Sequence, residues 1–314
     1  MSLQNWLEKY IPAADLPRGS DEISRAAEAI ANCEALFIGA GAGLSASAGF
    51  EYSGERFGRY FADFEKRFGF HDMYSGSFYN FDTLEEQWAF ASRQVWLNRY
   101  TNPPKSVYRD LLKIAKGKNY FVLTSNVDHC FQKAKFDKSR LFYIQGDYGL
   151  FQCSVPCHMQ TYDNEDTIRR MVTAQGYSIG EGNALTPPAD GKVRLRVPSS
   201  LIPRCPKCGK PMRLNLRSDD TFVQDSGWDA AAARYDAFCS AHKTGRVVYL
   251  ELGVGYNTPG IIKYPFMQRT FKNPQALYVC VNSERQRIPE EIAGRSLMIE
   301  SDIGKAIKQL LIGA

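Results

Sequence analysis

Apolar residues fall into short blocks separated by polar or glycine-rich breaks, and the spacing inside each block predicts an element. Over 22–32, Ile23, Ala26, Ala27 and Ile30 recur at helical spacing, so a helix leads in. The next apolar run, 35–38, stops at Gly39-Ala40-Gly41-Ala42-Gly43 and gives way to the small helix formers of 44–48, which reads as strand, tight turn and helix. Further runs at Tyr120–Thr124, 141–144, Val247–Leu252, 277–281 and 297–300 are apolar at successive rather than alternate positions. Strands of that kind have both faces covered, as in a parallel sheet flanked by helices. Helical patterns between them predict an α/β chain, a Rossmann-like doubly wound parallel sheet.

Two stretches break the alternation. Residues 50–100, crowded with Phe, Tyr and Trp, read as a helical module over the sheet. Residues 150–246 hold most of the cysteines, a Thr186-Pro187-Pro188 turn, and strand-like pieces at 193–197 and 213–216. They predict a small inserted domain, leaving 22–149 and 247–314 for the Rossmann-like part.

Composition narrows the classes. With 314 residues, 44% hydrophobic and 23% charged, the chain suits a packed soluble core rather than long disorder. The net charge of +5 is dispersed and forms no basic run, so nucleic acid is not an expected partner. No run approaches the roughly 20 apolar residues that cross a bilayer, which disfavours a membrane partner. The first 18 residues, with Glu8, Asp15 and two prolines, lack a charged-then-apolar leader, and the expected location is cytoplasmic.

A strand that runs into Gly41-Ala42-Gly43 suits a nucleotide, because glycines let a diphosphate approach main-chain N–H groups at a helix start. Close packing of one backbone on another would ask for the same glycines. A dehydrogenase would place an acid about 20 residues on, at a strand end. Asp63 stands there inside a helix-like aromatic stretch, so simple hydride transfer is disfavoured.

Taken together, the motifs resemble the sirtuins. The glycine signature appears as Gly41-Ala42-Gly43-Leu44-Ser45 and ends at Ala48-Gly49. The T-Q-N-I-D motif appears as Thr124-Ser125-Asn126-Val127-Asp128 after an apolar strand, and the strand that ends in catalytic His-Gly appears as 141–146, ending Gln145-Gly146. The later G-T-S turn corresponds to Gly253-Val254-Gly255, and the ribose-contacting I-N to Val281-Asn282. The resemblance implies NAD as cofactor. Gly41, Ala42, Gly43 and Ser45 would carry the diphosphate, and Ser125, Asn126, Asp128, Gly253, Gly255 and Asn282 would complete the cofactor site. Asn126 would position the ribose, and Asp128 would accept from the nicotinamide carboxamide.

The departures point to a branch. Gln145 stands where sirtuins have their histidine base, and an amide cannot take a proton at neutral pH, though it can orient a hydroxyl or a nucleophile. The G-I-P-D-F-R segment is replaced by Gly49-Phe50-Glu51-Tyr52-Ser53-Gly54. This altered pattern is similar to the macrodomain-linked (class M) sirtuins, protein ADP-ribosyltransferases of bacteria and fungi. That resemblance implies mono-ADP-ribosyl transfer to a lipoylated carrier protein related to the glycine-cleavage H protein, with a functional link to a macrodomain hydrolase. NAD-dependent deacylation, NAD hydrolysis and a non-catalytic NAD- or ADP-ribose-binding module are the competing readings.

Several residues carry plainer alternatives. Asn126 and Asp128 could cap the helix that follows. Asp147 could be a late acid–base group or a turn residue, and His129 reads as an early-helix residue. Arg194 and Arg196 could bind an acceptor carboxylate, or form the solvated face of a strand over 193–197. Cys205-Pro206-Lys207-Cys208-Gly209 reads as a zinc knuckle, with Cys153 and Cys157 as the second thiolate pair of a structural zinc site. Cys239 with His242 is a rival ligand source, and redox or packing thiols are the bland alternative. Cys33, Cys130 and Cys280 read as packing residues.

Overall fold

The computed structural model describes residues 21–313; the N-terminal stretch read as leaderless lies outside them. Six parallel strands, β1 (Ala35–Ala40), β2 (Tyr120–Thr124), β3 (Leu141–Tyr143), β9 (Val247–Leu252), β10 (Leu277–Asn282) and β11 (Ser296–Glu300), form one sheet. Its order is β11-β10-β9-β1-β2-β3, the doubly wound arrangement that reverses direction between β1 and β9. Every residue of β1, β2 and β9 is buried, which is why these strands read as continuous apolar runs. Loops leaving β1 and β9 diverge to opposite faces, opening a crevice at the carboxyl ends of both strands.

One face of the sheet is covered by α1 (Asp21–Asn32), α2 (Ala42–Ser47), α6 (Val107–Ala115), α7 (Cys130–Lys133) and α12 (Ile303–Ile312), packed through Ile30, Leu44, Leu111, Phe131 and Ile307. The other face is covered by α9 (Ser226–Ala241), α10 (Lys263–Lys272) and α11 (Glu290–Ala293), through Tyr235, Phe266 and Ile292. Thus α9, in the stretch read as insertion, rests on the sheet.

The aromatic stretch departs from expectation in its placement. It forms α3 (Gly54–Phe68), α4 (Met73–Ser77) and α5 (Leu84–Val95), but these helices do not lie over the sheet. Phe57, Phe61, Phe64, Trp88 and Phe90 share one core with Tyr148, Phe151, Ile168 and Met171 of the small domain. That domain is built on β4 (Gly146–Cys153), antiparallel to β5 (Tyr162–Asp163) and β8 (Met212–Leu216), with α8 (Glu165–Ala174) alongside and a small β6–β7 ribbon (Ser178–Ile179, Leu185–Thr186). Asp63 belongs to this core. Its two carboxylate oxygens grip the fully buried Arg93 guanidinium at 2.8 Å each, so Asp63 has a structural partner and no strand end.

The strand expected at 193–197 is absent. Val193, Leu195 and Val197 do alternate into the small core. The amides of Arg194 and Val197, however, donate to the carbonyls of Gln175 and Glu85 at helix ends, so no neighbouring strand pairs with the segment.

Candidate functional site

The C-terminal ends of β1, β2 and β9 meet in a polar knot. Asn126, just past β2, donates through Nδ2 to the Gly41 carbonyl at 2.9 Å, to Ser45 Oγ at 3.0 Å and to the Tyr108 hydroxyl at 3.2 Å. Ser45 Oγ lies 2.7 Å from the Tyr108 hydroxyl and donates to Asp128 Oδ2. Asp128 Oδ1 accepts from the Cys130 amide at 2.9 Å, at the start of α7. The capping reading of Asp128 has a counterpart here: one oxygen accepts from the first amide of the short helix and the other holds the glycine-loop serine. Pinning Nδ2 fixes the Asn126 amide, and among the described residues Oδ1 has no hydrogen-bond partner and keeps its capacity to accept. Burial pushes the Tyr108 phenol well above its usual range, with the Asp128 carboxylate adding to the effect, so Tyr108 stays neutral.

The glycines answer chiefly to packing. A Cβ on Gly41 would lie 2.7 Å from the Gly253 carbonyl oxygen, and one on Gly43 would lie 2.8 Å from Gly253 Cα. Gly253 itself has φ of 62°, where a side chain would be strained. The amides of Gly41 and Gly43 donate to the carbonyls of Leu252 and Gly253 at 3.0 Å each. In this arrangement those two amides pair within the fold.

A second charged group adjoins the first. Asp147, second residue of β4, is buried, and its carboxylate meets Arg99 Nε at 2.5 Å, His129 Nδ1 at 2.6 Å and the Gly149 amide at 2.7 Å. Burial raises its pKa, but the His129 hydrogen bond and the Arg99 charge outweigh that and hold the carboxyl below its ordinary value. Arg99 sits in a π-helical turn, Trp96–Tyr100, that continues α5. His129 has φ of 64°, in the left-handed region. Neither the turn reading of Asp147 nor the early-helix reading of His129 included this pairing, and Tyr108 was missed altogether.

Four thiols converge at the far end of β4. The sulfurs of Cys153, Cys157, Cys205 and Cys208 all lie within 4.8 Å of one another, with Cys153–Cys208 at 3.5 Å and Cys157–Cys205 at 3.6 Å. A tetrahedral zinc with Zn–S bonds of about 2.3 Å sets its sulfurs about 3.8 Å apart, so the donor set fits. Gly209, at φ of 70°, closes the knuckle by donating to the Cys205 carbonyl at 2.8 Å. Cys239 packs under the sheet and His242 bonds to Phe238 and Asn119, which removes that rival pair.

A protein ADP-ribosyltransferase of Staphylococcus aureus is 40% identical to the chain over 296 residues, covering 93% of this chain and 89% of that protein. The chain belongs to the protein ADP-ribosyltransferases. A probable bifunctional ADP-ribose hydrolase/ADP-ribosyltransferase of Fusarium oxysporum is 30% identical over 312 residues; the chain spans 49% of its length. Among solved structures, a Sir2 homologue in complex with NAD superposes with a TM-score of 0.58 at 13% identity, over 96% of each chain. A structure described as bearing on the mechanism and regulation of Sir2 enzymes gives 0.55 at 17%, over 94% of this chain and 98% of the other. The fold is thus the sirtuin fold. No protein-family profile matches.

Within this family assignment, the remaining residues separate into near and far. Ser125 follows β2 and donates through its amide to the Ala40 carbonyl, beside Asn126. Asn282 ends β10 and donates to the Val254 carbonyl at 3.3 Å, which puts it with Gly253 on the same sheet edge. Gly255 lies exposed in the loop after β9. Gln145 occupies the turn between β3 and β4, half-buried; its carbonyl accepts from the Arg217 amide at 3.0 Å, and among the described residues its side-chain amide has no hydrogen-bond partner. Arg194 and Arg196 do not join this cluster. Arg196 is held by Thr83 and Glu86 at the start of α5, and Arg194 by the Ala174 carbonyl at the end of α8. Arg99, which does reach the site, lies 13 residues beyond Glu86, about 20 Å along a helix axis.

Proposed function

We propose that the chain transfers ADP-ribose from NAD to a protein side chain, with a lipoylated, glycine-cleavage H-like carrier as acceptor. The observation that carries the reading is the Asn126–Ser45–Asp128–Tyr108 knot at the switch point of the sheet, paired with an amide at position 145. The Sir2 homologue that superposes on the chain is described as an NAD complex, and the S. aureus relative as a protein ADP-ribosyltransferase, which supports the same reading.

NAD supplies an activated glycosidic bond between nicotinamide and ribose C1′. The oxygen left free on Asn126 accepts from a ribose hydroxyl and fixes the sugar. Asp128 keeps unused lone pairs on both oxygens and accepts from the carboxamide. Holding the reactants in line and excluding water supplies most of what cleavage needs, because nicotinamide leaves neutral. A deacylase must afterwards remove a proton from a ribose hydroxyl, and the amide of Gln145, at the position where sirtuins carry that base, cannot do so. Transfer to a protein nucleophile needs no base at that position, because the only proton released is the nucleophile's own.

The fungal relative joins its transferase half to a part named ADP-ribose hydrolase, which supports a functional link between this chain and a macrodomain hydrolase that removes the modification. Incubation with NAD labelled in its adenosine part, with the carrier in lipoylated and unlipoylated forms, tests the reading. Label on the lipoylated carrier alone is expected. Robust release of acetyl or lipoyl groups from lysine would overturn it in favour of deacylation.

A further inference from the structure

We infer that His129, held by Asp147 and Arg99, is the base that takes the proton from the incoming nucleophile. The inference rests on the transfer reading above and names the group that Gln145 cannot replace.

Three observations carry it. Asp147 Oδ2 engages His129 Nδ1 at 2.6 Å, so Nδ1 bears the proton and Nε2 is the nitrogen left with a lone pair. Among the described residues Nε2 has no hydrogen-bond partner, and the side chain is 28% exposed. A carboxylate that orients imidazole through one nitrogen while the other handles protons is the arrangement general-base histidines use. Second, the imidazole adjoins the candidate site: Asn126, Asp128, His129 and Asp147 border one narrow, nearly closed crevice. Third, the geometry is held at a cost. His129 keeps a left-handed backbone conformation at φ of 64°, which persists only where surroundings enforce it. Arg99, from the π-helical turn, reaches in to hold the far oxygen of Asp147. Asp147 and Arg99 are positioning residues; His129 alone meets the proton.

In the step, the nucleophile forms a bond to ribose C1′ as the C1′–nicotinamide bond breaks. The bonding pair leaves with nicotinamide, and the nucleophile's proton passes to His129 Nε2 and then to solvent. Water as nucleophile would use the same base.

Asp147 on β4 pairs with the imidazole, and Asp128 before α7, Cys130 on α7 and Tyr143 on β3 border the same crevice; Arg99 on the π-helical turn and Lys133 on α7 act on Asp147 rather than on the imidazole itself. The test is the pH dependence of label transfer and of nicotinamide release, with labelled NAD as probe, for wild type, His129→Asn and Asp147→Asn. Asparagine tolerates the left-handed backbone, and NAD binding by titration reports a folded site. His129→Asn should bind NAD, slow transfer about 100-fold and lose the acid limb of the profile. Asp147→Asn should bind NAD and slow transfer while keeping an acid limb, because it loosens the orientation of the imidazole and leaves Nε2 in place. A merely structural role for His129 would lower rates and leave the limb in its variant. If His129→Asn keeps the wild-type rate and profile in both assays, the inference is overturned. If His129→Asn does not fold, a wild-type transfer rate in Asp147→Asn overturns it equally. If wild type releases nicotinamide to water but labels no protein, the acceptor reading fails, while loss of the acid limb in nicotinamide release still supports His129.

Discussion

Asn126 donates its side-chain amide to the carbonyl oxygen of Gly41 at 2.9 Å, across 85 positions of sequence. This contact ties the loop after β2 to the glycine turn after β1, so a residue that would bind ribose also shapes the turn beside it. Replacing it therefore has two effects. Asn126→Ala should abolish transfer at saturating NAD and lower stability by about 1–3 kcal/mol, because the Gly41 carbonyl and two buried hydroxyls lose a donor. Nicotinamide release and a thermal melt check the two halves; wild-type turnover would remove Asn126 from the site.

The thiol cluster predicts about one zinc per chain by elemental analysis. Cys205→Ser or Cys208→Ser should lose the metal and unfold the small domain, because apo thiols cannot join β4 to the knuckle. Cys33→Ser, outside the cluster, should keep full zinc content. Metal-free protein with an unchanged melt would leave the thiols as packing groups.

Acid should loosen the Asp147 joint. Its folded pKa lies below the 3.8 of a free carboxyl, because its partners outweigh burial. A lowered folded pKa contributes stability that is present above about pH 4 and lost as pH falls through the folded value. Asp147→Asn should lower the melting temperature at neutral pH and flatten its decline below about pH 4. An equally steep acid decline in the variant would assign it to other carboxylates.

Beneath the sheet, Lys263 of α10 meets Glu251 of β9 at 2.5 Å, both side chains fully buried, with the Tyr278 hydroxyl on the second glutamate oxygen at 2.6 Å. Burial lowers the Lys263 pKa, yet Glu251 more than offsets it, and the net shift is upward, which keeps the ammonium charged. Lys263→Ala should cost about 3–5 kcal/mol, since it strands a buried carboxylate. The double variant Lys263→Met with Glu251→Leu should regain most of that in a denaturant titration; a double variant no better than the single one would refute the pairing account.

How far the sequence carried this protein differs from residue to residue. Strands β2 and β9 were legible to the residue, because a parallel strand between two helical layers is buried on both faces and reads as a nearly continuous apolar run, broken in β9 only by the paired Glu251. Knuckle and glycine turn were legible because tight backbone geometry restricts which residues can stand there. By contrast, 193–197 alternates like a strand, and only the structure shows its amides given to the helix-end carbonyls of Gln175 and Glu85. The aromatic content of 50–100 predicted buried helices and not their partner, since an apolar face specifies that it will be covered but not by which surface.

The sequence by itself determined the doubly wound sheet and the thiol pairs, which are set by local periodicity or spacing, and the resemblance to sirtuins marked Asn126 and Asp128. Tertiary structure alone paired the Gly41 and Gly43 amides within the fold. It alone brought Tyr108 to Asn126, and His129 and Arg99 to Asp147. Each of those contacts joins elements distant in sequence or turned toward each other by a backbone conformation no pattern encodes. Hydrogen bonds form between atoms within about 3 Å, and which distant residues come that close is settled only when the layers pack.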